Sequence, residues 1–329
     1  MELIGENDIL IAQSYGNIGF AYDKLGNYEI AIDCFKKSLE IHLKCNHSNK
    51  DAFVSNDYNN IGHVLTNMGQ YDEGLEYERK ALSIRLLLLG DNNFDTAMSK
   101  HNIGAILYFQ NNKKEAEPYL KDALNTWISL LGNDHPQVAT GKFDLGRLYR
   151  DEHQYDLALK LFSESLDTRN KTIGYTHPDT INNYVTLADF CFQLSEYVES
   201  RNYYTALNKI ITENEQLQSS YYPLYINVTG GVGVTNCKLG NYDEGILFLK
   251  KAIEMCESHY PQGQQLLMGL KSNLFEFQIR KKEGLTPDEG LRISVDMKNM
   301  KSLNNEQDVE KKDKPEKSLI KRIVEFFKK

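Results

Sequence analysis

Positive charge is scarce in this chain of 329 residues: 38 lysines and arginines stand against 46 aspartates and glutamates, a formal net charge of −8. A nucleic-acid partner requires a surplus of basic groups on one face to neutralise phosphates, and no basic stripe interrupts the central sequence, so no nucleic acid is expected as a partner. Cysteine is sparse and scattered. Cys34, Cys45, Cys191, Cys237 and Cys256 include no Cys-x-x-Cys pair and are joined by no histidine cluster, which argues against both a disulfide framework and a zinc site and fits a reducing compartment. No stretch approaches the roughly 18 apolar residues of a membrane span. The opening residues MELIGENDILIAQSYGN lack the basic and apolar blocks of a secretory leader, so the expected location is cytoplasmic and the sequons at Asn46 and Asn227 are chance matches.

Catalytic signatures are missing too. There is no HExxH, no GxSxG and no placed Cys–His pair. Gly230-Gly231-Val232-Gly233 lacks the Gly-Lys-Ser/Thr ending of a phosphate loop and sits where a helix belongs. His135 and His177 each precede a proline in a connector, a repeated structural use rather than acid–base chemistry. The expectation is a non-enzymatic protein with no cofactor and no metal.

What the chain has in abundance is order along its length. Gly19, Gly62, Gly104, Gly146, Ala188 and Gly233 are spaced by 43, 42, 42, 42 and 45 residues, and the same neighbours recur around each. Tyr15, Ile18, Gly19 and Tyr22 are followed by Gly26, Tyr28, Ala31, Phe35 and Ser38; Tyr58, Ile61, Gly62 and Leu65 by Gly69, Tyr71, Gly74 and Ala81. At about 100° per residue, Tyr15, Ile18, Gly19 and Tyr22 share one helical face, expected to pack on neighbouring helices. Glycine inside a helix costs roughly 1 kcal/mol against alanine, so its return at one phase implies close helix contact. Between units, Leu89-Gly90-Asp91-Asn92, Leu131-Gly132-Asn133-Asp134-His135-Pro136 and Ile173-Gly174-Tyr175-Thr176-His177-Pro178 each carry a glycine stop, and the last two add a proline start.

This pattern resembles the tetratricopeptide repeat, and its long period with an LGxxHP connector resembles the kinesin light chain subclass. The resemblance implies an all-α fold: a right-handed superhelical solenoid of antiparallel helix pairs. It also implies a protein-binding scaffold or adaptor that grips an extended peptide in a concave groove. The heptad coiled coil that joins kinesin light chains to the motor heavy chain has no counterpart here, which separates this chain from a motor-subunit role.

The expected organisation is a partial inter-repeat connector at residues 1–11, in which Ile4-Gly5-Glu6-Asn7 matches Leu89-Gly90-Asp91-Asn92. Six repeats follow at about 12–54, 55–96, 97–138, 139–180, 181–225 and 226–267. Degenerate or capping helices are expected over 268–300 and a charged linker over 301–316. Residues 317–329 have the pattern of a basic amphipathic helix, with Leu319, Ile320, Ile323, Val324 and Phe327 on one side. Its expected roles are capping the solenoid or meeting a membrane surface or partner groove, which would make a membrane-tethered adaptor. A first helix pair without an ordinary cap also offers a route to self-association.

Positions about 180° from the packed face form the expected concave wall. From the first unit these include Asn17 and Phe20, from the second Asn56, Asn60, His63 and Asn67, from the third Met98, Asn102 and Phe109, and from the fourth Arg147. In the sixth they are Asn227, Gly231, Val234 and Lys238. Asn17, Asn60 and Asn102 share one register, resembling the asparagine ladder of related grooves. One amide can donate to a peptide carbonyl and accept from its N–H without selecting a side chain. Phe20, Met98 and Phe109 could seat apolar anchors, and Arg147 beside Asp144 and Asp151 could read a charge or pair internally. The expected ligand is a protein or peptide; a second reading is a regulatory sensor whose superhelix changes pitch on binding it.

Overall fold

The structure, a computed structural model, describes residues 6–45 and 51–286. These form fourteen helices and no strand. They fall into two compact units, one through Asn183 and one from Tyr184.

In the first unit the helices come in consecutive antiparallel pairs: α1 (Glu6–Lys24) with α2 (Tyr28–Cys45), α3 (Ala52–Asn67) with α4 (Tyr71–Leu89), α5 (Phe94–Phe109) with α6 (Lys113–Leu131), and α7 (Pro136–Asp151) with α8 (Tyr155–Thr172). The recurring glycines sit where partner helices touch. A Cβ on Gly19 would fall 2.8 Å from the Phe35 ring, one on Gly104 2.8 Å from Leu120 Cγ, and one on Gly146 2.9 Å from Phe162. The large side chain of the second helix occupies the space that the missing Cβ leaves, and this contact offsets the poor helix propensity of glycine. At Gly62 the occupant is not apolar: Glu78 Cγ would lie 2.9 Å away.

The turn inside each pair needs one residue in the left-handed region. Gly26 and Gly69 fill it in the first two pairs, but Asn111 and His153 take it in the next two, at φ 61° and 62°. Connector glycines Gly90 and Gly132 cap α4 and α6 at φ 77° and 80°, and Asn93 and His135 then cap the next helices through side-chain acceptors on Asp95 N and Gln137 N. His135 is thus a helix cap, as its place before Pro136 suggests, and His177 accepts from Asp179 N in the same way at 3.2 Å.

Ile18 departs from the expected packed face: it is 44% exposed, whereas its equivalents Ile61 and Ile103 are wholly buried. Ile61 packs with Ile32 and Phe35 of the preceding α2, and no described helix precedes α1. Helix α1 also begins at Glu6, inside the stretch assigned to a connector, and is 19 residues long against 16 in α3, α5 and α7.

Helix α9 (Pro178–Gln193) leads into the second unit, where α10 (Tyr197–Thr212), a short α11 (Glu215–Ser220), α12 (Tyr222–Lys238), α13 (Tyr242–His259) and α14 (Gln264–Glu283) follow. Helix α12 packs on α10, α13 and α14, and the core there gathers Ile226, Leu249, Ile253, Leu270 and Phe277. Gly230, Gly231 and Gly233 lie inside α12. Pair six therefore starts at Tyr222, ahead of the repeat boundary at 226, and α14 runs through the boundary at 268. The rest of the expected capping helices, from residue 287 to 300, the linker 301–316 and the basic helix 317–329 lie outside the described residues.

Candidate functional site

The candidate wall is carried by the first helices of the first unit, and polar contacts join neighbours along it. Asn67 of α3 donates to Asp23 of α1 at 3.3 Å, and its amide also meets His63 Nε2 at 3.2 Å. His101 of α5 donates to Asp144 of α7 at 2.9 Å, and Tyr108 donates to Asp151 at 2.6 Å. Met98 Sδ lies 3.8 Å from the Gln137 amide nitrogen.

Beneath this row two ionisable groups are sunk into the core. Arg85, on α4, is buried; it donates to the Asp95 carbonyl, Ser99 Oγ, Asn56 Oδ1 and Asn59 Oδ1 at 2.8–3.0 Å. Glu78, about two helical turns earlier and fully buried, accepts from Asn59 at 2.7 Å and from Asn102 at 2.9 Å through the same oxygen. Its other oxygen has no partner among the described residues. Burial pushes the Glu78 carboxyl up to about 8, against the pull of Asn102, Asn59 and Arg85, so near neutrality it is chiefly a neutral acid. Glu78 and Arg85 are thus linked through Asn59 in one buried chain of hydrogen bonds between two repeats.

The ten candidate residues divide accordingly. Asn56 and Asn102 each give one group to the buried chain. Asn67 and His63 are turned toward Asp23 and each other. Phe20 meets Phe35 edge-on at 5.5 Å, and Phe109 stacks on Tyr71 at 5.6 Å. These aromatic partners lie on second helices rather than on neighbouring first helices. Arg147 lies 4.9 Å over the Tyr108 ring and 5.5 Å over Phe109, and pairs with Asp144 at 3.4 Å. Asp151, its other expected partner, is instead held by Tyr108 and Arg150. Asn17 and Asn60 carry no side-chain hydrogen bond among the described residues. The register of three asparagines thus holds two open amides and one whose N–H is already used.

Burial opposes charge on Asp144, but the hydrogen bond from His101 and the fields of His101, Arg147 and Arg169 hold its carboxyl below the usual range. Asp151 is held low in the same sense by Tyr108 and Arg150. The third and fourth repeats therefore combine fixed carboxylates with a guanidinium lying on two aromatic rings, Tyr108 and Phe109, the second of them 44% exposed. Such a surface can stack an apolar group and accept hydrogen bonds. Glu78 escaped the sequence reading, although a signal was present: it stands where Phe35, Leu120 and Phe162 stand in the aligned units. Among the described residues no group of three or more His, Cys, Asp or Glu side chains is placed to hold a metal ion.

The tetratricopeptide repeat family profiles match residues 12–44, 55–129 and 137–213. The chain belongs to the tetratricopeptide repeat family, whose members generally mediate protein–protein contacts. No curated protein sequence matches it. Among solved structures, BtubC (BKLC) from P. vanneervenii is 19% identical, with 63% of this chain and 82% of that one covered at a TM-score of 0.55. A putative kinesin light chain from Podosopora anserina, with nearly identical repeats, is 16% identical over 64% of this chain and 99% of its own, at 0.53. A signal transduction ATPase with a tetratricopeptide repeat sensor from Pyrococcus horikoshii is 17% identical and covers 82% of this chain and 39% of its own, at 0.66. At these identities the likeness is one of fold, and it includes kinesin light chain-like arrays. No described helix is long and apolar enough to cross a membrane.

Proposed function

We propose that the protein is a non-enzymatic scaffold or adaptor that holds an extended segment of another protein along the first-helix wall of repeats one to four. The observation that carries this reading is the pairing of open amides, Asn17 and Asn60, with a half-exposed aromatic and cationic cluster, Phe109 and Arg147, on one row of helices. An extended chain offers a carbonyl and an N–H at every residue, which the amides can meet. Each such bond contributes about 0.5–1.5 kcal/mol net, so apolar contact at Phe109 supplies the rest. Fixed helices present these groups without an ordering cost at the moment of binding.

Affinity capture with the wild-type chain and with an Asn17→Ala, Asn60→Ala, Phe109→Ala variant tests the reading, with helicity checked in both. The expected result is a set of proteins retained by the first and released by the second. The same set retained by both would overturn it.

A further inference from the structure

Within the second unit the exposed side of α12 borders two adjoining cavities. One, of about 630 Å³, lies between α12 and α14. The other, of about 400 Å³, is walled by Phe192, Tyr204 and Phe277. Gly231, Val234 and Asn273 line both, so the two form one groove. Its α12 side is built from Asn227, Gly231 and Val234, with Lys238 at the aromatic end.

Packing explains part of this composition. A Cβ on Gly231 would strike the Tyr204 ring at 2.7 Å, and one on Gly230 would strike Leu270 at 2.6 Å. Packing does not explain Gly269, inside α14 on the groove floor, where a Cβ would meet nothing within 4 Å. A helix glycine there lowers stability with no protein contact in return, but it leaves bare backbone for a ligand to approach.

Four amide side chains edge the larger cavity, Asn227, Asn273, Gln262 and Gln265, and none carries a side-chain hydrogen bond among the described residues. Each can both donate and accept, the requirement of an extended backbone. The charges at the aromatic end are unequal. Glu276 is paired with Arg280, and Asp189 accepts from the Tyr204 hydroxyl. Lys238, 5.8 Å over the Phe277 ring, has no ion pair among the described residues.

We propose that this groove is a second peptide subsite. It takes an extended segment with a small residue over Gly269, an apolar side chain among Phe192, Val234 and Phe277, and an acidic side chain at Lys238. The inference rests on the scaffold reading but uses none of the residues assigned to the first-unit wall.

An array of fluorescein-labelled octapeptides, varied by position in charge and side-chain size, tests it against the wild type and the Lys238→Glu, Gly269→Leu and Asn60→Ala variants. Gly269→Leu leaves the fold intact because Gly269 faces open space, whereas Lys238→Glu gives up the contact over the Phe277 ring; circular dichroism and urea unfolding of both variants check that the fold is kept. The expected result is retention of peptides pairing an apolar with an acidic residue, about tenfold weaker in Lys238→Glu and in Gly269→Leu. Basic peptides should gain in Lys238→Glu, and Asn60→Ala should change nothing for this set. Retention that responds to Asn60→Ala but to neither groove variant overturns the subsite and leaves the scaffold reading standing. No retention of any peptide overturns both.

Discussion

Asn102 donates its side-chain N–H to Glu78, 24 positions earlier, at 2.9 Å. The bond crosses from the third repeat to the second and fastens a wall residue to a carboxyl in the core. It makes the Glu78 proton part of the interface between these repeats.

The pH dependence follows from the direction of the shift. The folded chain holds the Glu78 proton up to about 8, against an ordinary value of 4.5. Between those values the folded state binds more protons than the unfolded one, so the contribution of this group to stability falls as pH rises through that window. Glu78→Gln keeps both amide contacts and removes the proton, so its urea midpoint should lose less than the wild type's between pH 6 and pH 9. Parallel pH profiles for the two proteins would contradict a raised Glu78.

Arg85 holds α4 to the start of α5 through the Asp95 carbonyl, as Arg169 holds α8 to the start of α9 through the Asp179 carbonyl at 2.9 Å. Removing a buried guanidinium leaves several acceptors unpaired. Arg85→Ala should cost about 2–4 kcal/mol in denaturant unfolding. The loss should appear as early opening of repeats two and three, read by hydrogen exchange at Ile61 and Ile103.

Two glycines should respond in opposite directions to the same change. Gly104→Ala places a methyl 2.8 Å from Leu120 Cγ and 3.2 Å from the Ala116 carbonyl, and should destabilise by about 1–3 kcal/mol. Gly269→Ala adds a methyl to open space and should stabilise by about 0.5–1 kcal/mol through helix propensity alone. Thermal or urea unfolding of the pair separates packing from propensity.

Ile18 and Ile61 occupy the same place in successive repeats but not the same environment. Ile61→Ala should cost about 2–4 kcal/mol, as expected for a filled site in a packed core. Ile18→Ala, on a helix with no described neighbour before it, should cost under about 1 kcal/mol. Equal losses in the two variants would show that α1 is covered.

The repeat was legible because its determinants are local and recur. A small residue at Gly19, Gly62, Gly104 and Gly146, a large apolar residue 16 positions after each of them but Gly62, and a glycine connector that twice carries a proline are read directly from spacing, since helical geometry alone decides what those positions face. The helix-to-helix turns were only half legible. Asn111 and His153 hold the left-handed conformation that Gly26 and Gly69 announce by their identity.

Which wall residues stay open was not written in that spacing. Asn60 and Asn102 share a register, yet Asn102 alone is tied down, because Glu78 fills a core slot next to it that is apolar in other repeats. Ile18 and Ile61 likewise share a register, and the helix before α3 buries only the second. The sequence by itself determined the period, the pairing of helices and the face each residue lies on. The tertiary structure decided which polar groups on that face already have partners, since a hydrogen bond between repeats depends on side chains that the chain order keeps far apart.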